Sequence, residues 1–113
     1  MENCLFCKII AGEIPSAKVY EDEMTYAFRD INPMAPTHVL VVPKQHVTGM
    51  SDIDAADDAV LATCLRACKT VAEAEGLTGG FLVVSNCGGD ACQSVPHLHF
   101  HVLGGKKLSE RMD

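Results

Sequence analysis

The stretch that decides the fold of this 113-residue chain is Pro96-His97-Leu98-His99-Phe100-His101-Val102-Leu103. Its apolar and polar residues alternate, as in a β-strand with one face in the core, because successive strand side chains point to opposite faces. The apolar residues at 98, 100 and 102 then enter the core, and the three histidines line the other face. Neighbouring imidazoles on that face stand about 6.5–7 Å apart, which is two strand rises. This spacing suits imidazoles that surround one phosphate or share a metal ion with other elements. The alternative is three polar residues on a solvated face.

A loop before the histidines adds groups that bind anions. Residues 86–94 contain two consecutive glycines, and a glycine-containing turn between strands can present successive N–H groups to an anion. Gln93 and Ser94 add neutral donors that can reach a phosphoryl oxygen or a leaving group. Alone, such a loop is most often a hairpin turn. Joined directly to the histidine stretch, it predicts a phosphate site.

The rest of the chain alternates strand-like and helical segments. The predicted helices cover residues 5–10 and 55–75, and the predicted strands cover residues 17–20, 24–28, 38–42, 81–85 and 97–103. A hairpin, a strand, a helix and a further pair of strands predict an α+β fold. We expect an antiparallel sheet of about five strands with the main helix packed on one face. The length suits a single domain, residues 1–113.

The main helix is predicted from an apolar stripe at helical spacing. Its buried face is expected to contain Val60, Cys64, Ala67 and Val71, widened by Leu61, Leu65, Cys68 and Ala72. Aspartates near its start suit the helix dipole, and Gly76 can end it.

Composition limits the partners of the chain. Nine basic and fifteen acidic residues give a net charge of −6, so we expect no binding to nucleic acid polymers. A single nucleotide is not excluded, because N–H groups and imidazoles can hold its phosphate locally. The longest strongly apolar stretch, residues 39–42, is far shorter than a membrane span, and residues 1–4 are unlike a secretory leader. We therefore expect a cytoplasmic protein with no membrane association and mostly reduced cysteines.

The histidine stretch matches a known pattern, His-φ-His-φ-His-φ-φ, in which φ is an apolar residue. The chain resembles the histidine-triad (HIT) superfamily, and within it the HINT branch of histidine-triad nucleotide-binding proteins, which are homodimeric purine nucleoside phosphoramidases. The other matching segments are residues 6–10, 28–33, 36–44, 93–95 and 103–108. The resemblance covers nearly the whole chain and implies a HIT-like fold assembled as a two-fold homodimer.

The resemblance also implies the catalytic roles. His99 is the nucleophile on the α-phosphorus, and water then releases AMP or GMP from the nucleotidyl-histidine. An imidazole is nucleophilic when one nitrogen is free and the other is held as a donor. His101 and the loop N–H groups stabilise charge on the phosphoryl oxygens, and Ser94 assists the leaving group. His38 completes the imidazole cluster, although it also fits a hydrogen-bonded histidine of a core strand.

Further positions are implied to bind the substrate, a purine nucleotide conjugate. Asp30 matches a carboxylate that accepts hydrogen bonds from the ribose hydroxyls, and it also fits an Asx turn. The other implied positions are Leu5, Phe6, Ile9 and Ile31 in an apolar slot for the purine, and Asn86 and Gln93 beside the phosphate or sugar. The apolar positions also fit ordinary core residues.

Cys4 and Cys7 form a Cys-x-x-Cys pair, which by itself is redox-active, metal-binding or incidental. The resemblance adds His46 and His97 as partners, which implies a closed, structural zinc site that the chemistry does not require. A pair of free thiols is the alternative.

The predicted function is hydrolysis of purine nucleoside 5′-phosphoramidates. The alternatives are a dinucleoside polyphosphate hydrolase, a nucleotide-binding or interaction protein with incidental hydrolysis, and a thiol–disulfide protein. Cys92 stands where the resemblance calls for glycine, and the chain contains no tryptophan. These two departures leave the leaving-group preference open.

Overall fold

The computed structural model of the chain describes residues 3–112; residues 1, 2 and 113 of the predicted domain lie outside it. Within residues 3–112, five strands form one antiparallel sheet, accompanied by two α-helices and two short 3₁₀ helices. The elements are α1 (Leu5–Ile10), β1 (Lys18–Glu21), β2 (Thr25–Arg29), β3 (Thr37–Pro43), α2 (Asp58–Ala74), β4 (Leu82–Val84) and β5 (Phe100–Gly104). The predicted α+β architecture is confirmed.

The sheet order, β1-β2-β3-β5-β4, places the histidine strand inside the sheet. β1 and β2 form a hairpin whose turn is closed by Asp22, which accepts hydrogen bonds from the N–H groups of Met24 and Thr25. α2 then carries the chain from the central β3 to the edge strand β4. β5 returns between them, with Leu103 opposite His38. Residues directly opposite each other in an antiparallel pair share a face, and Leu103 shares its face with His101, two residues earlier, so His38 and His101 meet on one face.

The two faces of the sheet are covered by different helices. One core lies under α2, and its sheet residues include Ala27, Val39, Val41, Phe100 and Val102. The other core lies under α1 and contains Cys4, Phe6, Ile9, Tyr26, Phe28, Leu40 and Val42. The face under α1 is also the face of the histidines, so this short helix borders the candidate site.

The sheet pairing of the last strand begins at Phe100, so the predicted start at His97 was wrong. The segment before it bonds elsewhere: the N–H of Leu98 donates to the carbonyl of Val47, and the N–H of His97 donates to the carbonyl of Val95. The alternation nevertheless persists, because Leu98 packs in the core under α2 while the histidines face α1.

The main helix begins at Asp58, three residues after the predicted start. Residues Met50–Ala55 form a 3₁₀ helix instead, and extended backbone at Ala56 separates the two helices. Most of the predicted stripe is buried, but Leu65 is 57% exposed, so its placement on the buried face was wrong. Gly76 follows the helix with a φ of +72°, a conformation that glycine adopts without strain. Within residues 3–112, no helix is both long and apolar enough to cross a membrane.

Candidate active site and metal centre

The hydrogen bond of His99 fixes which of its nitrogens is free. Its Nδ1 lies 2.7 Å from the carbonyl oxygen of His97. A carbonyl only accepts, so Nδ1 carries the proton and Nε2 of the neutral ring keeps its lone pair. Ser85 steadies the same backbone, because its hydroxyl donates to the carbonyl of His99 at 2.8 Å. The ring is therefore held in the tautomer that a nucleophile needs.

His38 and His101 form a relay of the same kind. The backbone N–H of Met34 donates to Nδ1 of His38 at 3.0 Å, so the proton of the neutral His38 ring is on Nε2. His38 Nε2 lies 2.9 Å from Nδ1 of His101 and donates to it. The proton of His101 is then on Nε2, where it is available to a ligand. The rings of His99 and His101 are 5.1 Å apart, which places nucleophile and donor side by side.

Both relay histidines are neutral at neutral pH. Burial, together with the neighbouring His99 and His38, lowers the pKa of His101 to about 4, against an opposing effect of the carboxylate of Asp30. Burial also lowers the pKa of His38, against an opposing effect of the carboxylate of Asp30. Consequently His101 offers a neutral N–H donor rather than a positive charge.

Asp30 closes the turn before β3 and faces the relay. One carboxylate oxygen accepts the N–H of Asn32 at 2.8 Å, which confirms the Asx-turn interpretation. The other lies 3.5 Å from Nε2 of His38. The carboxylate is half-buried beside the imidazoles, and its role towards a ribose stays a prediction.

The glycine-containing loop is tied down by the side chain of Gln93. Its amide nitrogen donates to the carbonyls of Thr48 and Val95, at 2.7 and 3.0 Å, and its oxygen accepts the N–H of Gly88 at 2.8 Å. Both amide protons are therefore engaged, and Gln93 shapes the loop in this conformation. Donation to a phosphate by Gln93 stays a prediction and requires one of these bonds to exchange.

Asn86 and Ser94, the other two predicted substrate contacts in this loop, differ in their hydrogen bonding and exposure. The amide of Asn86 likewise serves the loop, donating to the carbonyl of Ala91 at 2.8 Å. Ser94 is exposed. Of the three side chains in this loop that are predicted to contact the substrate, Ser94 is the one that is exposed.

The four positions of the predicted purine slot do not share one environment. Ile31 is 92% exposed and Leu5 is 43% exposed, whereas Phe6 and Ile9 are buried. The ring of Phe6 meets His99 edge to face, with centroids 5.1 Å apart. Phe6 therefore lies behind the nucleophile, and a purine would contact the exposed members first.

Two cysteines and two histidines form a second cluster, next to the nucleophile and the relay. Cys4, Cys7, His46 and His97 each offer one ligand atom, and these atoms all lie within 4.8 Å of one another. Nε2 of His97 lies 2.8 Å from the carbonyl oxygen of Pro43 and must donate to it, so its Nδ1 lone pair faces the thiols.

The distances in this cluster suit a tetrahedral ion. His97 Nδ1 lies 3.3 Å from Cys4 Sγ and 3.5 Å from Cys7 Sγ, and His46 Nδ1 lies 3.3 Å from Cys7 Sγ. Ordinary zinc–sulfur and zinc–nitrogen bonds in a tetrahedron separate the ligand atoms by about 3.5 Å. The predicted Cys/His set can therefore hold a metal ion.

Asp30, His38 and His101 also lie within 4.8 Å of one another, but their protons are placed differently. The N–H of Met34 occupies the Nδ1 lone pair of His38, which leaves the proton on Nε2, the atom that would have to bind the ion. A metal ligand must present a lone pair. We therefore assign Asp30, His38 and His101 to the hydrogen-bond relay and not to a metal site.

Comparisons with known proteins identify the family of the chain. The profile of the HIT domain family matches residues 11–108. The chain belongs to the HIT domain family. Among its relatives are a 14 kDa zinc-binding protein from Zea mays (49% identical, covering 93% of this chain and 84% of the relative) and an adenylylsulfatase HINT1 from Arabidopsis thaliana (44%, covering 93% and 73%). A HIT family hydrolase from Clostridium thermocellum has a similar structure, with a TM-score of 0.94 and 43% identity over 99% of this chain and 98% of that one.

Several groups that organise this HIT site are absent from the sequence-based prediction. The carbonyls of His97 and Pro43 and the N–H of Met34 fix the three tautomers, yet backbone groups are present at every residue and leave no mark in the sequence. Ser85 was also missed. Its place just before the loop is the one signal that could have indicated it.

Proposed function

We propose that this protein hydrolyses purine nucleoside 5′-phosphoramidates and related nucleotide conjugates at the α-phosphorus, through a nucleotidyl-His99 intermediate that releases AMP or GMP. The observation that carries the proposal is the hydrogen bond from His99 Nδ1 to the carbonyl of His97, which leaves Nε2 free. Membership in a family that contains hydrolases and an adenylylsulfatase supports a hydrolase acting on a nucleotide.

In the first step, the Nε2 lone pair of His99 attacks the α-phosphorus and the phosphorus–nitrogen bond breaks. The Nδ1–H bond to the carbonyl of His97 stabilises the positive charge that forms on the ring. The Nε2–H of His101 donates to a phosphoryl oxygen as negative charge accumulates there. The leaving amine departs with a proton, and exposed Ser94 is placed in the loop to help deliver it.

In the second step, water attacks the phosphorus of the intermediate. The bond between phosphorus and His99 Nε2 breaks and its electron pair returns to Nε2, one proton of the water is lost to solvent, and AMP leaves. Because His38 and His101 stay neutral, the relay donates hydrogen bonds in both steps without accumulating charge of its own.

The sugar and base contacts form part of the proposal. We propose that the carboxylate of Asp30 accepts hydrogen bonds from the ribose hydroxyls. The half-exposed Leu5 and the exposed Ile31 supply apolar surface for a purine. The expected cytoplasmic location stays a prediction.

The test is hydrolysis of adenosine 5′-phosphoramidate, followed by phosphorus NMR, in the wild type and in His99→Ala. We expect AMP release by the wild type and none by the variant, while AMP binding and the circular dichroism spectrum of the variant are unchanged. A wild type that binds AMP but releases none would contradict phosphoramidase activity. Hydrolysis of diadenosine polyphosphates instead would favour the alternative enzyme, and hydrolysis of neither would favour a binding protein.

We also propose that Cys4, Cys7, His46 and His97 hold a structural zinc ion. The distances and the orientation of His97 fit it, and the name of the maize relative supports zinc. Bound there, the ion would cross-link α1 to the segment that follows β3 and to the segment that precedes β5. A closed site of two thiolates and two imidazoles leaves no position for substrate, so its contribution is to the structure.

The homodimer is a further part of the proposal. β4 is an edge strand of three residues, and Phe81, Leu82 and Val83 are each between 38% and 43% exposed. They adjoin a groove of about 650 Å³ between residues 76–82 and 105–108. An exposed apolar edge is an unfavourable surface for an isolated chain, and a second copy would cover it.

A further inference from the structure

Phe6 connects the metal cluster to the nucleophile. It lies on α1 between Cys4 and Cys7, and its side chain is only 5% exposed. Its ring meets His97 with centroids 5.9 Å apart and His99 with centroids 5.1 Å apart, edge to face in both cases. One aromatic ring thus touches a metal-cluster histidine and the nucleophile together.

The contact with His99 restrains the orientation of its imidazole. The two ring planes are nearly perpendicular, at 89°, and the imidazole is 4% exposed. The hydrogen bond from Nδ1 to the carbonyl of His97 fixes one edge of the imidazole, and Phe6 occupies the space into which the ring would otherwise turn. Rotation would break that hydrogen bond and redirect Nε2.

α1 in turn depends on contacts outside itself. It has six residues, and helices of this length are not stable alone in water. It is held by the burial of Phe6 and Ile9 and by the thiols of Cys4 and Cys7, one at its N-cap and one inside it. An ion bound by these thiols would therefore fix the position of Phe6.

We propose that Phe6 is a positioning residue for His99, and that a metal ion bound at Cys4 and Cys7 controls the orientation of the nucleophile through Phe6. The inference rests on the proposed function for its kinetic consequence. It assigns Phe6 a role different from that of a purine-slot residue. It also gives the metal cluster an effect on the chemistry without any metal contact to substrate.

The first experiment compares Phe6→Leu with the matched control Phe28→Leu, both in zinc-loaded protein. Phe28 is equally buried and packs against Phe6 with ring centroids 5.5 Å apart, and within residues 3–112 it makes no ring contact with His99. We expect the single-turnover rate of adenylyl transfer from adenosine 5′-phosphoramidate to fall by about tenfold or more in Phe6→Leu, because small misplacements of a reacting group are costly. The dissociation constant for AMP should change by less than about threefold. Phe28→Leu should lower the melting temperature similarly while leaving the adenylylation rate unchanged.

Two kinetic outcomes would overturn the proposal. A raised dissociation constant for AMP with an unchanged rate at saturation would make Phe6 a purine-slot residue. Equal loss of rate in both variants would make its role one of general core packing.

The second experiment needs no turnover and uses the wild type, so it stands even if Phe6→Leu does not fold or the proposed function fails. The Nδ1–H signal of His99 is followed by NMR in ¹⁵N-histidine-labelled protein, with zinc loaded and then removed by a chelator. We expect a sharp, slowly exchanging proton with zinc and a broadened or lost one without it. An identical signal in both states, with the protein folded, would refute control by the metal. A wild type that shows the zinc effect but no hydrolysis would refute only the proposed function.

Discussion

The half-buried, neutral His101 makes the stability of the protein depend on pH. In the folded protein the pKa of His101 is about 4, compared with an ordinary value of 6.5, chiefly because of burial. Between these two values the unfolded chain binds a proton that the folded chain excludes. Stability is therefore complete above the ordinary pKa and is lost as the pH falls towards the folded pKa.

The pKa difference sets the size of the effect. Going from about pH 7 to about pH 5, His101 alone should lower the free energy of unfolding by about 1–2 kcal/mol, the lower figure allowing for solvent contact at this half-buried ring. His101→Gln removes the titrating group. Over the same pH range, the free energy of unfolding of this variant should therefore fall by about 1–2 kcal/mol less than that of the wild type.

Urea unfolding measures this directly when followed by circular dichroism, because the chain has no tryptophan to report by fluorescence. A chelator is present throughout, so that metal release does not contribute. The reasoning is refuted if the wild type and His101→Gln lose the same stability between the two pH values. Such a result would mean that His101 is already solvated or protonated in the folded protein, and the relay from His38 would then be wrong.

Three further predictions address the metal, the backbone and the dimer. Purified wild type should contain one zinc ion per chain. Cys7→Ser should lose the ion, whereas Cys92→Ser, which changes an exposed thiol, should keep it. Elemental analysis checks both variants, and stoichiometric zinc would also exclude a thiol–disulfide function. Gly105→Ala should lower the free energy of unfolding by about 2–3 kcal/mol, because the new Cβ would lie 2.9 Å from Cβ of Pro36 at a φ of +92°. Gly12→Ala, at a φ of +80° with nothing within 4 Å, should lose only about 1 kcal/mol in the same urea titration. Val83→Lys should shift the protein from dimer to monomer in sedimentation experiments, and an unchanged dimer would place the interface away from β4.

The sequence predicted the face on which each histidine lies because strand alternation is a local geometric rule. Residues on either side of Phe100 follow it even where sheet pairing has not begun. The cluster of Cys4, Cys7, His46 and His97 was predicted from the family resemblance, since nothing in the spacing of these residues shows that they meet. The register of β3 and β5 brings His38 close to His101, and such pairing between distant segments is a property of the fold rather than of either segment.

What could not be predicted depends on groups without a sequence signal. The tautomers of the histidines are set by backbone carbonyls and by one N–H. The amide of Gln93, predicted to donate to a phosphate, instead donates to backbone carbonyls. The helix start moved to Asp58 because residues Met50–Ala55 form a 3₁₀ turn, a choice that apolar periodicity cannot distinguish from the first turn of α2. Leu65 fits the apolar stripe by spacing but is exposed, whereas Cys64 and Cys68 beside it on the helix are buried, and spacing alone does not show where the buried face ends.

In the proposed reaction, Nε2 of His99 becomes covalently bonded to phosphorus. Rapid quenching of the wild type with adenosine 5′-phosphoramidate, followed by mass spectrometry of the intact chain and of its peptides, detects such a bond. We expect a transient mass increase of one adenylyl group, located on His99 and absent from His99→Ala. Hydrolysis at full rate without any adduct, or an adduct on another residue, would contradict it.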